Sequence, residues 1–101
     1  MAKNQKDKRN FRASKVWKLF RHEIFVLQHG IDPITKKKLL KGACLHHRNL
    51  SADDYECLDN KEDFVMLNKS THDFLHDIYK YWSKDPDILI RIEEELKKWH
   101  K

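Results

Sequence analysis

The chain has 101 residues, with 21 Lys or Arg against 16 Asp or Glu and a formal net charge of +5. This length suits one domain with a modest core, and the two cysteines are not spaced like those of a zinc finger. The sequence contains neither an apolar run of about 18 residues nor a signal peptide, so we expect no membrane span and a cytoplasmic location.

Positive charge is concentrated in the N-terminal part of the chain. Through Lys41 there are 12 Lys or Arg against 3 acidic residues, whereas residues 42–101 hold 9 against 13. Residues 1–13 are predicted to form a flexible basic tail. Such a charge run is either a solvated face or a surface that binds nucleic acid by neutralising phosphates. The candidate phosphate contacts are Arg12, Lys36, Lys37, Lys38 and Lys41.

Residues 14–30 have the pattern of an amphipathic helix. Ser14 is a candidate N-cap and Gly30 a candidate stop. Apolar residues recur between them at helical spacing, at Val16, Trp17, Phe20, Ile24 and Leu27. The sequence therefore predicts an N-terminal helix.

Residues 43–47 follow a turn-like Lys41–Gly42 and predict a short strand that ends at two adjacent histidines. Successive side chains of a strand point to opposite faces, so His46 and His47 should not both reach the same ion. We therefore expect one of them to bind a metal ion. The other, neutral near pH 7, can accept a proton from an attacking water molecule.

Residues 69–82 predict a helix, with Ser70 and Thr71 as candidate N-caps. His72 and His76 lie four residues apart in it, which places their Cβ atoms about 5–6 Å from each other on one face. Two imidazoles at that spacing can bind one cation without distorting the backbone. The alternative is a pair of solvated or capping histidines.

The C-terminal residues predict a further helix, which would begin after Asp85 with Pro86 in its first turn. Asp85 is the candidate N-cap, and Pro86 would occupy the first helical position. The apolar side chains of this helix form a stripe, at Ile88, Leu89, Ile92, Leu96 and Trp99. The stripe either packs on the core or pairs with a second chain in a homodimer.

Two motifs together resemble a known family. The run Leu45-His46-His47-Arg48-Asn49-Leu50, followed by residues 63–72 and His76, resembles the HNH endonucleases of the ββα-metal (His-Me finger) superfamily, in the colicin-type DNase arrangement. The resemblance covers about residues 31 to 80. It implies an α+β fold in a single domain, residues 14–101. A two-stranded antiparallel hairpin and a metal-binding helix would form a ββα core at about residues 43–82, flanked by the N-terminal and C-terminal helices.

The resemblance also implies roles for the four histidines. His46, His72 and His76 would bind one divalent ion, which could be magnesium, manganese, nickel or zinc, and His47 would be the general base. Arg48 would contact a phosphate. The substrate implied is double-stranded DNA, either nicked or cut through, with 5′-phosphate and 3′-hydroxyl products. The implied setting is the cytoplasm of a bacterial host, with a bacteriophage or mobile element as the source.

The chain departs from the family pattern in two places. Asp63 stands where the family usually has an Asn that orients the base, and Asn60 is the fallback for that role. Residues 31–35 stand where many small members have Cys-Pro-x-Cys, so we expect no structural zinc. The main alternative function is a non-catalytic nucleic-acid-binding protein stabilised by a closed metal site, and a third is a helical partner-binding protein without metal.

Overall fold

The computed structural model describes residues 14–48 and 61–99. In chain order the elements are α1 (Lys15–Leu27), β1 (Cys44–His47), β2 (Phe64–Leu67), α2 (Lys69–Trp82) and α3 (Ile88–Leu96), with a 3₁₀ turn (Lys61–Asp63) before β2. The predicted α+β class is confirmed, while the predicted tail at residues 1–13 lies outside the described residues. The chain divides into two compact units, one ending at Lys69 and one beginning at Ser70.

Helix α1 forms as the sequence pattern predicts. The Ser14 side chain accepts a hydrogen bond from the Trp17 backbone N–H at 3.2 Å, which caps the first turn. The helix ends at Leu27, and Gly30 then adopts a φ of +67°, the left-handed conformation typical of residues that follow a helix. The buried face presents Phe20 and Ile24 to the core.

The two strands pair antiparallel, with His46 opposite Val65 and His47 opposite Phe64. All four residues of β2 are buried, in keeping with the apolar sequence Phe-Val-Met-Leu of this strand. The Phe20 and Phe64 rings meet edge to face, with their centroids 4.9 Å apart. The core cluster comprises Phe20, Ile24, Ala43, Phe64 and Met66, with Trp17, Leu39 and Leu45 packed against it.

Side-chain hydrogen bonds hold the segment between α1 and β1 against β2. The Asp32 carboxylate is fully buried and accepts hydrogen bonds from the backbone N–H groups of Ile34 at 2.8 Å, Thr35 at 3.2 Å and Asn68 at 3.0 Å. The Gln28 amide accepts from the Met66 N–H at 2.7 Å and donates to the Met66 carbonyl at 2.9 Å. These polar contacts order the segment that includes residues 31–35, where we expect no structural zinc.

The helices of the second unit begin at residues other than those predicted. Helix α2 begins at Lys69, so Ser70 and Thr71 lie in its first turn, and their prediction as N-caps was wrong. Helix α3 begins at Ile88 rather than at Pro86. The Asp85 carboxylate pairs with the Arg91 guanidinium, and its carbonyl accepts from the Ile88 N–H at 3.1 Å, so Asp85 forms a turn before the helix.

The apolar stripe of α3 is only partly covered. Leu89 is 48% exposed, Leu96 51% and the following Trp99 68%, whereas Ile88 and Ile92 are half-buried. Among the described residues, no helix has both the length and the apolar character required to cross a membrane.

Candidate metal centre

The first two candidate ligands come from one face of α2. The Nε2 atoms of His72 and His76 lie 3.1 Å apart, with the ring centroids 4.4 Å apart and the ring planes at 63°. The Nδ1 atom of His72 lies 3.3 Å from a carboxylate oxygen of Asp73. When the His72 Nδ1–H donates to that carboxylate, the Nε2 atom keeps a lone pair that can bind a metal ion. This arrangement is typical of histidine ligands.

The other two histidines end strand β1 and are separated by the alternation of the strand. Their side chains project to opposite faces because they are consecutive residues of one strand. The His47 ring stacks on Phe64, with the ring centroids 4.6 Å apart and the planes 6° from parallel. The roles of His46 as a metal ligand and of His47 as a base stay predictions.

Three of the four predicted histidines come together. One nitrogen from each of His46, His72 and His76 lies within 4.8 Å of the other two, and all three side chains are half-buried. Among residues 14–48 and 61–99, His47 does not belong to this group.

The donor set fits a transition-metal ion. Two nitrogens bound tetrahedrally to one ion, at about 2.0–2.1 Å each, lie roughly 3.3 Å apart. The observed 3.1 Å between the Nε2 atoms of His72 and His76 is close to that separation. It also suits an N–H···N hydrogen bond, which a bound ion would replace. Imidazole donors favour zinc or nickel over magnesium and manganese, which prefer oxygen ligands.

Comparison of the chain with protein-family models, with curated proteins and with solved structures found no match. An assignment of function therefore depends on the histidine geometry, on the surrounding side chains and on the motifs in the sequence.

Phe64 is a site residue that the sequence reasoning missed. It is buried between the His47 ring and the Phe20 ring, so its position is fixed by the core and it in turn orients the imidazole. The cross-strand pairing of His47 with Phe64 is the signal that identifies it, but that register follows from the fold and not from local sequence.

The predicted orienting residues of the base have different outcomes. Among the described residues, no hydrogen bond joins the Asp63 carboxylate to His47, and the Asp63 carbonyl accepts a hydrogen bond from the Arg48 N–H at 2.7 Å. An orienting role for Asp63 stays a prediction. Asn60 lies outside the described residues.

The predicted phosphate contacts are exposed where the structure describes them. The Arg48 guanidinium donates to the Glu62 carbonyl, which directs the side chain along the start of β2. Four lysines project into solvent from the segment between α1 and β1, at Lys36, Lys37, Lys38 and Lys41. Lys36 has a φ of +63°, which shapes the turn that presents the first three. Arg12 lies outside the described residues.

Proposed function

We propose that this protein is a metal-dependent endonuclease of the HNH type, which hydrolyses phosphodiester bonds of double-stranded DNA. One observation carries the proposal: the nitrogens of His46, His72 and His76 cluster within 4.8 Å of one another, while the adjacent His47 is held apart from them. Three imidazole ligands leave a coordination position open for water or phosphate, as catalytic sites require. The cofactor would be one divalent ion, with zinc or nickel favoured by the donor set.

His47 would act as the general base. It would accept a proton from the water molecule that attacks phosphorus in line with the departing 3′-oxygen. A neutral imidazole can do so near pH 7, and the stacking on Phe64 limits the orientations that it can adopt. The bound ion would stabilise the negative charge that develops on the phosphate and on the leaving oxygen.

Arg48 would neutralise the charge of a substrate phosphate next to His47. Its charged group is exposed, and it follows His47 directly in the chain. The lysines at residues 36–38 and Lys41 would bind neighbouring phosphates without reading sequence. The products would carry 5′-phosphate and 3′-hydroxyl ends. We expect the protein to act in the cytoplasm of a bacterial host.

A plasmid cleavage assay tests the proposal. Supercoiled plasmid is incubated with the native chain and Mg²⁺, Mn²⁺, Ni²⁺ or Zn²⁺, with EDTA as the metal-free control. We expect nicked or linear product only with metal. We also expect His47→Ala to lower the cleavage rate at least about a hundredfold, because general-base catalysis contributes roughly 10²–10⁴-fold.

The control variant is His29→Asn. His29 is an exposed histidine with a φ of +55°, a conformation that Asn tolerates, so this change removes an imidazole without straining the turn. Its cleavage rate should equal that of the native chain. Failure of every metal to support cleavage, combined with unfolding on chelation, would instead identify a closed structural metal site in a nucleic-acid-binding protein.

A further inference from the structure

The described residues 14–48 present an almost unopposed positive surface. Their only acidic residues are Glu23 and Asp32. Asp32 is fully buried, and a Glu23 carboxylate oxygen lies 2.7 Å from the Lys61 ammonium. The cations of this segment are Lys15, Lys18, Arg21, Lys36, Lys37, Lys38, Lys41 and Arg48. The solvent-facing surface is therefore suited to an anionic partner.

A shallow pocket lies within this surface, beside α1. It is lined by Lys18, Arg21, His22, Phe25 and Met66. Three of these five side chains can carry positive charge, and none is a carboxylate. The other two are apolar, so the pocket combines cations with an apolar wall.

Two neutral groups hold the Arg21 side chain in place. Arg21 is half-buried, and its guanidinium donates to the Ala43 carbonyl at 2.5 Å and approaches the Met66 sulfur at 3.8 Å. Both partners are neutral. Across residues 14–48 and 61–99, neither Arg21 nor Lys18 forms an ion pair with a carboxylate. A pre-oriented guanidinium with uncompensated charge is suited to a phosphate group.

Phe25 supplies an aromatic surface next to these cations. Phe25 is 37% exposed, and its ring packs so closely on Gly30 that a Cβ added there would lie 2.9 Å from the ring. The His22 ring lies within 14° of parallel to the Phe25 ring, at a centroid distance of 6.4 Å. Proteins that bind single strands combine a cationic groove with aromatic rings on which bases stack.

We propose that this pocket binds one nucleotide of a single-stranded stretch of nucleic acid, with a phosphate at Arg21 and Lys18 and the base against Phe25. The choice of nucleic acid as partner rests on the proposed function. The pocket itself is a second binding site, built from side chains other than the four histidines of the metal centre.

The test is a binding titration of the full chain in EDTA. Fluorescence anisotropy of a labelled short oligothymidylate is compared with that of a labelled hairpin duplex. We expect Phe25→Leu to weaken binding of the single strand at least about fivefold, as loss of one base–aromatic contact does, with a smaller effect on the duplex. Lys18→Ala should lower the salt dependence of single-strand binding by about 0.7 in the slope of log affinity against log salt.

Matched controls separate the pocket from general charge and general apolarity. Lys84→Ala removes an exposed lysine of the turn after α2, and Val26→Ala truncates an exposed apolar residue of α1 outside the pocket. Both should bind the single strand like the native chain. Equal losses in Phe25→Leu and Val26→Ala, or in Lys18→Ala and Lys84→Ala, would overturn the proposal.

Free thymidine monophosphate distinguishes a nucleic-acid site from a nucleotide site. Weak competition by the mononucleotide supports the proposal, whereas competition as strong as that of the unlabelled oligothymidylate overturns it. Metal is absent from the titration, so the pocket is read separately from the nuclease activity. If binding depends on the pocket but no metal supports cleavage, the nucleotide pocket is supported and the proposed nuclease function is contradicted. If the chain cleaves DNA but Phe25→Leu binds the single strand with native affinity, the nuclease function is supported and the pocket is contradicted.

Discussion

The two compact units hold their histidines by different means. Residues 14–48 and 61–69 contain a buried apolar cluster and hydrogen bonds between side chains and backbone groups far apart in the chain, such as Gln28 with Met66. Among the described residues 70–99, Thr71 is the only buried residue, and three ion pairs join residues close in sequence: Asp77–Lys80, Asp85–Arg91 and Glu93–Lys97. The positions of His46 and His47 therefore depend on tertiary packing, whereas helical spacing brings His72 and His76 next to each other.

The largest change in the free energy of unfolding should come from a substitution of Asp32 in the first unit. Asp32→Ala would leave three backbone N–H groups without their acceptor, in a place from which water is excluded. We expect the free energy of unfolding to fall by about 3–5 kcal/mol. Urea denaturation followed by tryptophan fluorescence measures it.

The matched control is Asp87→Ala. Asp87 is an exposed carboxylate that precedes α3 and makes no capping hydrogen bond, so its removal should change the unfolding free energy by less than about 0.5 kcal/mol. Equal effects of the two substitutions would contradict the view that buried hydrogen bonds hold the first unit together.

A smaller and more specific effect should come from Phe64. Phe64→Leu and Phe20→Leu remove equivalent rings from the same edge-to-face pair, so each should cost about 1 kcal/mol of stability. Only Phe64 touches His47 in this way. We expect Phe64→Leu to lower the cleavage rate about tenfold or more relative to Phe20→Leu, with unchanged metal affinity. Equal cleavage rates at equal stability would remove the positioning role from Phe64.

The smallest effect should come from the exposed face of α3. Leu89→Gln and Leu96→Gln replace side chains that are about half exposed, and we expect the unfolding free energy to change by less than about 0.5 kcal/mol. Light scattering tests the homodimer alternative for this stripe in the same samples. We expect the molar mass to be unchanged. A fall from twice the chain mass to the chain mass would show that the stripe joins two copies.

The sequence predicts the parts of the fold that depend on local rules. Helix α1 with its Ser14 cap, strand β1 ending at His47 and the helical pair His72 and His76 all follow from periodicity and capping chemistry. The start of α3 does not, because Asp85 pairs with Arg91 and forms a turn where a local rule assigns it a cap. A contact between side chains six residues apart in the same segment overrides the capping preference there.

The site residues that escape prediction are those fixed by contacts between distant parts of the chain. In the sequence, Asp32 resembles an ordinary turn residue, and only the structure shows the hydrogen bond that it accepts from the Asn68 N–H. Phe64 resembles an ordinary strand residue, and only the strand register shows that it pairs with His47. In the sequence, Arg21 is one of many cations, and only the structure shows that contacts with Ala43 and Met66 orient its guanidinium. The shortest of these contacts, between His47 and Phe64, joins residues 64 − 47 = 17 positions apart, and the Arg21 contact with Ala43 joins residues 22 apart, so no local pattern encodes them.

A metal titration by isothermal calorimetry tests the proposed metal centre most directly. Metal-free native protein is titrated with Ni²⁺ and with Zn²⁺ beside His46→Ala, His72→Ala and His76→Ala, with His47→Ala and His29→Asn as controls. We expect one ion per native chain, a loss of metal affinity of about a hundredfold or more in each of the three ligand variants, and native affinity in both controls. Native affinity in the three ligand variants, or a loss in His47→Ala equal to theirs, would contradict the proposed metal centre.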